Sequence, residues 1–291
     1  MSKISTVAIV GGTHGNELTG IQTVRHLPHT DFPDAYPELT MAFILANAEA
    51  IANNVRFIDV DLNRQFHLDN LRTANTMLYE LSLAKTLNHK MGPKNAPMTD
   101  LIIDIHNTTS AMGPTLIAVD NNPFYRDMAG YVKTHMPEAN ILLEDEVPYQ
   151  DHPYLCTVAK RGIMLELGAQ PQGVSRVDIF KQCQTMLKLV LDYVVLYNHG
   201  QVPQIAPFPA YRFGEVIMFP MDEEDQVIGL VHENLLDNDF EPVHTGDPIF
   251  TLFDGTEILL QGEETIYPHF INEAAYKQSN VAFSTATRFM W

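Results

Sequence analysis

Along its first 200 residues the chain alternates two textures. Short, nearly unbroken apolar runs at Thr6–Val10, Thr40–Leu45, Leu101–Ile105 and Gly162–Leu167 have the length of strands buried on both faces. Between them, Glu17–Leu27, Leu71–Leu87, Tyr125–His135 and Arg176–Tyr197 carry apolar residues every three or four positions, which predicts helices. In the last of these the apolar positions cover more than one side, so that helix is expected to be packed on several faces. Asn198-His199-Gly200 ends it, and Pro203, Pro207 and Pro209 prevent its continuation. From Tyr211 onward short apolar runs are broken by Gly, Pro, Asp and Asn, the texture of β-rich structure. The pattern therefore predicts an α/β domain over residues 1–200 and a smaller β-rich domain over 201–291.

Composition narrows what such a chain does. Its 36 Asp and Glu against 18 Lys and Arg give a formal charge of −18, which repels nucleic acid and anionic lipid alike. Neither is expected as a partner. With 45% hydrophobic and 19% charged residues the chain supports a sizeable core. Two cysteines, Cys156 and Cys183, make no disulfide framework, and a reducing cytoplasm is the simplest location. The run Val7–Val10 before Gly11-Gly12 is too short for a signal-peptide core, and no stretch approaches the ~18 apolar residues of a membrane span.

The segment Val10-Gly11-Gly12-Thr13-His14-Gly15-Asn16-Glu17-Leu18 runs from a strand through a glycine turn into a helix, the place where ligands gather in α/β sheets. Its glycines do not fit a dinucleotide fingerprint, because Thr13 stands where the second glycine belongs. His14 and Glu17 are three residues apart, so both can face one point; this is metal-ligand spacing, or simply a Glu favoured by a helix N-terminus. A second histidine, His106, ends the strand Leu101–Asn107 and shares a strand face with Asp104. Two His and one Glu leave one tetrahedral position open, the ligand set of catalytic zinc, with Asp104 able to orient a ligand from behind. The other ten histidines have no matching partner and are expected at the surface. Glu166, a lone carboxylate in the apolar run Ile163–Leu167, is either a general base raised by desolvation or half of a buried ion pair. Arg56, Asn63 and Arg64 suit a carboxylate clamp, although the neighbouring Asp59 and Asp61 favour a plain salt-bridge loop.

Five segments in order, Gly11–Glu17, Asp61–Arg64, Asp104–Ser110, Leu165–Gly173 and Asn272–Tyr276, resemble the motifs of the aspartoacylase and aminoacylase-3 family of zinc amidohydrolases. The resemblance spans essentially the whole chain. It implies a zinc-carboxypeptidase-like mixed sheet flanked by helices, with a smaller β-rich C-terminal domain closing the substrate channel. It implies one zinc ion on His14, Glu17 and His106, and Glu166 activating the attacking water and later protonating the leaving amine. It further implies that Arg56 polarises the acyl carbonyl, that Asn63 and Arg64 hold the α-carboxylate, and that Tyr276 reaches in from the second domain.

At one position the chain departs from that pattern. Aspartoacylases carry an arginine ten residues before the catalytic Glu, where it grips the side-chain carboxylate of N-acetylaspartate; here that residue is Cys156, and Lys160 and Arg161 are the nearby substitutes. The expected activity is hydrolysis of N-acyl-L-amino acids, with N-acetyl-L-aspartate as first substrate and a broader deacylase, including of aromatic N-acyl amino acids, as its rival. A non-catalytic zinc or small-ligand binder and a carboxypeptidase are the further alternatives. The partner is a small molecule, with a homo-oligomer left open.

Overall fold

The computed structural model describes residues 3–74 and 77–291. Eleven strands and six α-helices are assigned among these residues. In chain order they are β1 (Thr6–Gly11), α1 (Leu18–His26), β2 (Thr40–Leu45), α2 (Ala48–Asn53), α3 (Leu68–Arg72) and α4 (Tyr79–Met91). Then come β3 (Leu101–Asn107), β4 (Pro114–Ala118), α5 (Pro123–His135), β5 (Asn140–Leu143), β6 (Gly162–Leu167) and α6 (Val177–His199). β7 (Pro209–Met218), β8 (Gly229–Val231), β9 (Pro248–Leu252), β10 (Glu257–Leu259) and β11 (Val281–Met290) complete the chain.

Eight strands form one mixed sheet in the order β11-β7-β5-β4-β6-β3-β1-β2, with β4 antiparallel to β6 and β11 antiparallel to β7. The apolar runs at 6–10, 40–45, 101–105 and 162–167 lie side by side in it. All seven residues of β3 are buried, as expected of a central strand whose two faces are both covered. One face packs on α1, α5 and α6 through Val24, Phe124, Met128, Met186, Val190 and their neighbours. The other packs on α4 and on irregular segments through Leu62, Phe66, Leu87 and Leu155. A Cβ on Gly11 would lie 2.2 Å from the Gly20 carbonyl oxygen, and one on Gly20 would lie 2.6 Å from that of Ile105. Paired glycines thus let α1 lie directly against the strand ends. Gly200, in the left-handed conformation, caps α6 where the sequence ends the helix.

The structure departs from the pattern in four places. β4 and β5, of five and four residues, carry too few positions to declare a period. The expected helix Leu71–Leu87 includes residues 75 and 76, which lie outside the described residues; α3 ends before them and α4 begins after them. The segment after residue 200 does not keep its strands to itself. Its longest, β7 and β11, extend the large sheet, and only β8–β10 form a separate three-stranded sheet. Finally, His152, His232 and His269 are buried rather than at the surface. His152 stacks on Tyr154 and His269 on Phe240, with burial pushing the His269 ring down to about 4, so it fills space as a neutral aromatic. Among the described residues no helix is long and apolar enough to cross a membrane.

Two buried charges position the loops at the mouth of the sheet. Glu80 of α4 accepts hydrogen bonds from the backbone N–H of Ile58 (2.7 Å), Asp59 (2.9 Å) and Val60 (3.2 Å) and from Asn47 Nδ2 (3.1 Å). Burial raises its carboxyl, and these donors outweigh that and hold it below the usual range. Lys94 Nζ, also buried, donates to the carbonyls of Phe66 and His152 and to Thr157 Oγ1. The loop carrying Arg56, Asn63 and Arg64 therefore hangs on Glu80. Glu80→Gln replaces an acceptor oxygen by an amide that faces N–H groups. It is expected to lower stability by roughly 2–5 kcal/mol, the loss for about two stranded buried donors. Chemical denaturation compared with the parent chain measures it, and a change under about 0.5 kcal/mol removes Glu80 as the anchor.

Candidate active site

β1 ends at Gly11, Gly12 turns the chain with φ +69°, and Glu17 occupies the residue before α1. β3 lies beside β1, and its penultimate residue, His106, emerges next to that turn. His14 Nδ1 is 2.7 Å from Glu17 Oε1, His106 Nδ1 is 2.9 Å from Glu17 Oε2, and the two Nδ1 atoms are 3.3 Å apart. These three buried side chains form a group whose ligand atoms lie within 4.8 Å of one another, able to hold a metal ion. Each imidazole is fixed from behind by a carboxylate. His14 Nε2 is 3.0 Å from Asp61 Oδ1, and His106 Nε2 is 3.0 Å from Asp104 Oδ2. Thr13 Oγ1 donates to the other oxygen of Asp104 at 2.8 Å. Both Nδ1 atoms thus face inward, and two imidazoles plus one carboxylate, oriented by further carboxylates, is a donor set that suits zinc. Burial raises the Glu17 carboxyl, but the charges of His14 and His106 overcome it and hold it well below the usual carboxylate range.

The loop anchored by Glu80 brings the basic groups to the same point. Arg56 Nη1 donates to Glu17 Oε1 at 3.0 Å, and Arg56 Nη2 to Asp61 Oδ2 at 3.0 Å. Asn63 Oδ1 accepts from the Leu155 N–H at 2.8 Å, which turns its Nδ2 toward His106 Nε2 at 3.5 Å. The Arg64 guanidinium lies over the Tyr154 ring, 5.2 Å from its centroid. The salt-bridge reading of this loop holds for Arg56, which is engaged with Asp61, while Arg64 meets a ring.

Glu166 stands directly across from His106 in the β3–β6 register. It is buried, accepts no hydrogen bond from any described residue, and is raised well above the usual carboxylate value. Burial is the main cause; His106 and Arg56 oppose it, and Glu17 and Glu273 add to it. Tyr276 comes from the C-terminal segment, in a short 3-10 turn spanning Ala274–Ser279. That segment is clasped to the loop after β3 by Glu273, whose Oε2 accepts from the Thr109 N–H (2.7 Å), Thr109 Oγ1 (3.0 Å), the Ser110 N–H (3.3 Å) and Thr108 Oγ1.

All eight residues singled out in the sequence, His14, Glu17, Arg56, Asn63, Arg64, His106, Glu166 and Tyr276, line one inner cavity of about 50 Å³. It shares Arg64, Glu144, Tyr154, Phe270 and Tyr276 with an outer chamber of about 510 Å³, whose wall also includes Phe57 and Phe213. The sequence reading did not identify Asp61 as the partner of His14, nor Glu273, Glu144 or Tyr154. For Glu273 a signal existed, since it lies inside the Asn272–Tyr276 motif; Glu144 opens an acidic run, Glu144-Asp145-Glu146, that reads as a solvated loop. Cys156 is fully enclosed and lines neither cavity. Its two candidate substitutes point elsewhere: Lys160 pairs with Asp100 at 2.8 Å, and Arg161 stacks on Phe124, 4.8 Å from its centroid, against α5 and α6.

Comparison with known proteins agrees with this architecture. Residues 3–194 match the family described as succinylglutamate desuccinylase/aspartoacylase catalytic domain, and residues 206–288 match the AstE/AspA barrel-sandwich hybrid domain. Aspartoacylase of Rattus norvegicus is 39% identical, over 98% of this chain and 93% of its own. The N-acyl-aromatic-L-amino acid amidohydrolase (carboxylate-forming) of Homo sapiens is also 39% identical, over 97% of this chain and 90% of its own. The crystal structure of murine aminoacylase 3 superposes with a TM-score of 0.91 at 34% identity, covering 100% of this chain and 97% of that one. With a shared catalytic-domain model, full-length relatives and a common fold, the chain belongs to the succinylglutamate desuccinylase/aspartoacylase family.

Proposed function

We propose that the chain hydrolyses the amide bond of N-acyl-L-amino acids with a zinc ion on His14, Glu17 and His106, and that it favours uncharged, especially aromatic, side chains over N-acetyl-L-aspartate. The observation that carries the reaction is Glu166. A buried carboxyl without a hydrogen-bond partner among the described residues, beside a His-Glu-His group, has the desolvated basicity of a proton acceptor. A protein that only stored metal has no use for that group. A bound zinc ion supplies a Lewis acid for the acyl carbonyl and for water.

The chain's own groups supply the rest. Glu166 takes a proton from the attacking water and returns it to the departing amine nitrogen. Arg56, already held by Glu17 and Asp61, offers its guanidinium to the carbonyl oxygen as negative charge develops there. Arg64, with Asn63 beside it, receives the α-carboxylate. Tyr276 and Phe270 cover the site from the C-terminal side and exclude water.

Overall identity does not choose the substrate, because an aspartoacylase and an aromatic-specific amidohydrolase are equally similar. The chamber favours the second. Phe57, Tyr154, Phe213, Phe270 and Tyr276 wall it, its one cation among the described residues is Arg64, and the thiol of Cys156 does not line it. A side chain ending in carboxylate would lose water there without gaining a dedicated cation.

Three outcomes are expected. The purified protein should hold about one zinc per chain, and His14→Ala or His106→Ala should each strip it; full metal by elemental analysis in both variants would take these residues out of the site. Glu166→Gln should keep its zinc and lose on the order of 10²–10⁴ in kcat, the range for a missing acid–base group; near-normal turnover would assign the base elsewhere. Across a panel of N-acetyl amino acids assayed with and without chelator, kcat/KM for the phenylalanine and tyrosine derivatives should exceed that for N-acetylaspartate by roughly 10-fold or more, the effect of one missing charged hydrogen bond. A preference for N-acetylaspartate would reverse the substrate assignment and leave the chemistry intact.

A further inference from the structure

We propose that Glu144 is the charge filter of the side-chain chamber, turning away substrates whose side chain ends in a carboxylate. The inference deepens the reading of the reaction given above and rests on it. Glu144 follows β5, its N–H donating to the Ala118 carbonyl at 2.8 Å, which points the residue out of the sheet at the mouth of the cavities. It is 6% exposed, lines both the inner cavity and the outer chamber, and its Oε2 has no hydrogen-bond partner among the described residues. A buried carboxyl oxygen left free beside a substrate-sized space acts on whatever fills that space.

Among the described residues lining the chamber, Arg64 is the one cation near Glu144, and Arg64 is also the group that receives the α-carboxylate. Tyr154 and Arg64 favour the ionised form of Glu144, and Glu146 disfavours it. Cys156, enclosed next to it, supplies no charge to balance it, and the His152 ring behind Tyr154 is held neutral by burial. Glu166, Glu273 and Arg56 line the inner cavity with Glu144 but not the outer chamber. Burial lifts the Glu144 carboxyl to about 7, with Glu146 adding to the rise and Tyr154 and Arg64 opposing it. The filter therefore acts when Glu144 is ionised, above that value, and relaxes as pH falls through it. Arg64 is more available to a second anion in the relaxed state, so both effects have the same sign.

The test is the ratio of kcat/KM for N-acetylaspartate to that for N-acetylphenylalanine, a quantity from which general loss of active enzyme cancels. The aspartate side chain stays ionised and the phenyl ring neutral over the whole range. In the parent enzyme this ratio should fall several-fold from about pH 6 to about pH 8. In Glu144→Gln it should stand roughly 10-fold above the parent at the upper pH, as expected for removing a like charge at close range, and lose its pH dependence. A ratio independent of pH in the parent overturns the proposal even if the variant does not fold, and an unchanged ratio in a folded variant does the same. Failure of the underlying reaction has a different signature: neither compound is hydrolysed by the parent at any pH, and the filter falls with it.

Discussion

The Glu17 carboxylate is buried where β1 and β3 end, and four groups converge on it. The imidazoles of His14 and His106, the guanidinium of Arg56 and the Asn107 N–H all lie within 3.1 Å of one or other of its oxygens. A buried carboxylate is tolerated only when paired and hydrogen-bonded, and two imidazoles with a guanidinium in one pocket are tolerated only around an anion. Each element that reaches Glu17 is thereby held at a fixed position relative to the others. The glycine turn after β1, the end of β3 and the arginine loop are already joined pairwise, by the β1–β3 ladder, by Thr13 on Asp104, by His14 on Asp61 and by the Gly15 N–H on the Arg56 carbonyl, and Glu17 is the side chain on which all three meet.

A second set of buried charges keeps the same loops in place by binding backbone instead of other charges. Glu80 collects three successive N–H groups of the loop leading to Asp61, and Lys94 takes the carbonyls of Phe66 and His152. Glu273 gathers two backbone N–H groups and two hydroxyls of residues 108–110. An ionised group bonded to several backbone donors gives rigidity to segments too irregular to hold themselves by ladder hydrogen bonds. This is how a cavity walled largely by loops retains the defined geometry that positioning of a reacting bond demands.

Much of this was legible in the sequence wherever the determinant is local. Strand ends followed by glycine, the His14/Glu17 spacing and the alternation that put Asp104 and His106 on one face are all contained within a few residues. What was not legible depends on separation. Asp61 reaches His14 across 47 residues, and Glu273 reaches Thr108 across 165, and neither distance leaves a periodic trace. β7 and β11 read as part of an appendage because nothing within them specifies that β5 is the neighbour of β7. Arg161, adjacent in sequence to the strand carrying Glu166, sits at the opposite end of that strand, so proximity along the chain gave the wrong side of the sheet.

Asp61 presents one oxygen to His14 and the other to Arg56. Two traits that an enzyme would profit from adjusting separately, how tightly the imidazole is oriented and how firmly the guanidinium is aimed, are therefore carried by a single residue. Variation at Asp61 is pleiotropic, and selection acting on either trait alone is constrained by the other. The chamber walls are less restricted: Phe57 and Phe213 come from separate segments of the chain and share no partner with Asp61. Diversification within this architecture is channelled outward, toward the shape of the chamber and away from the centre it serves.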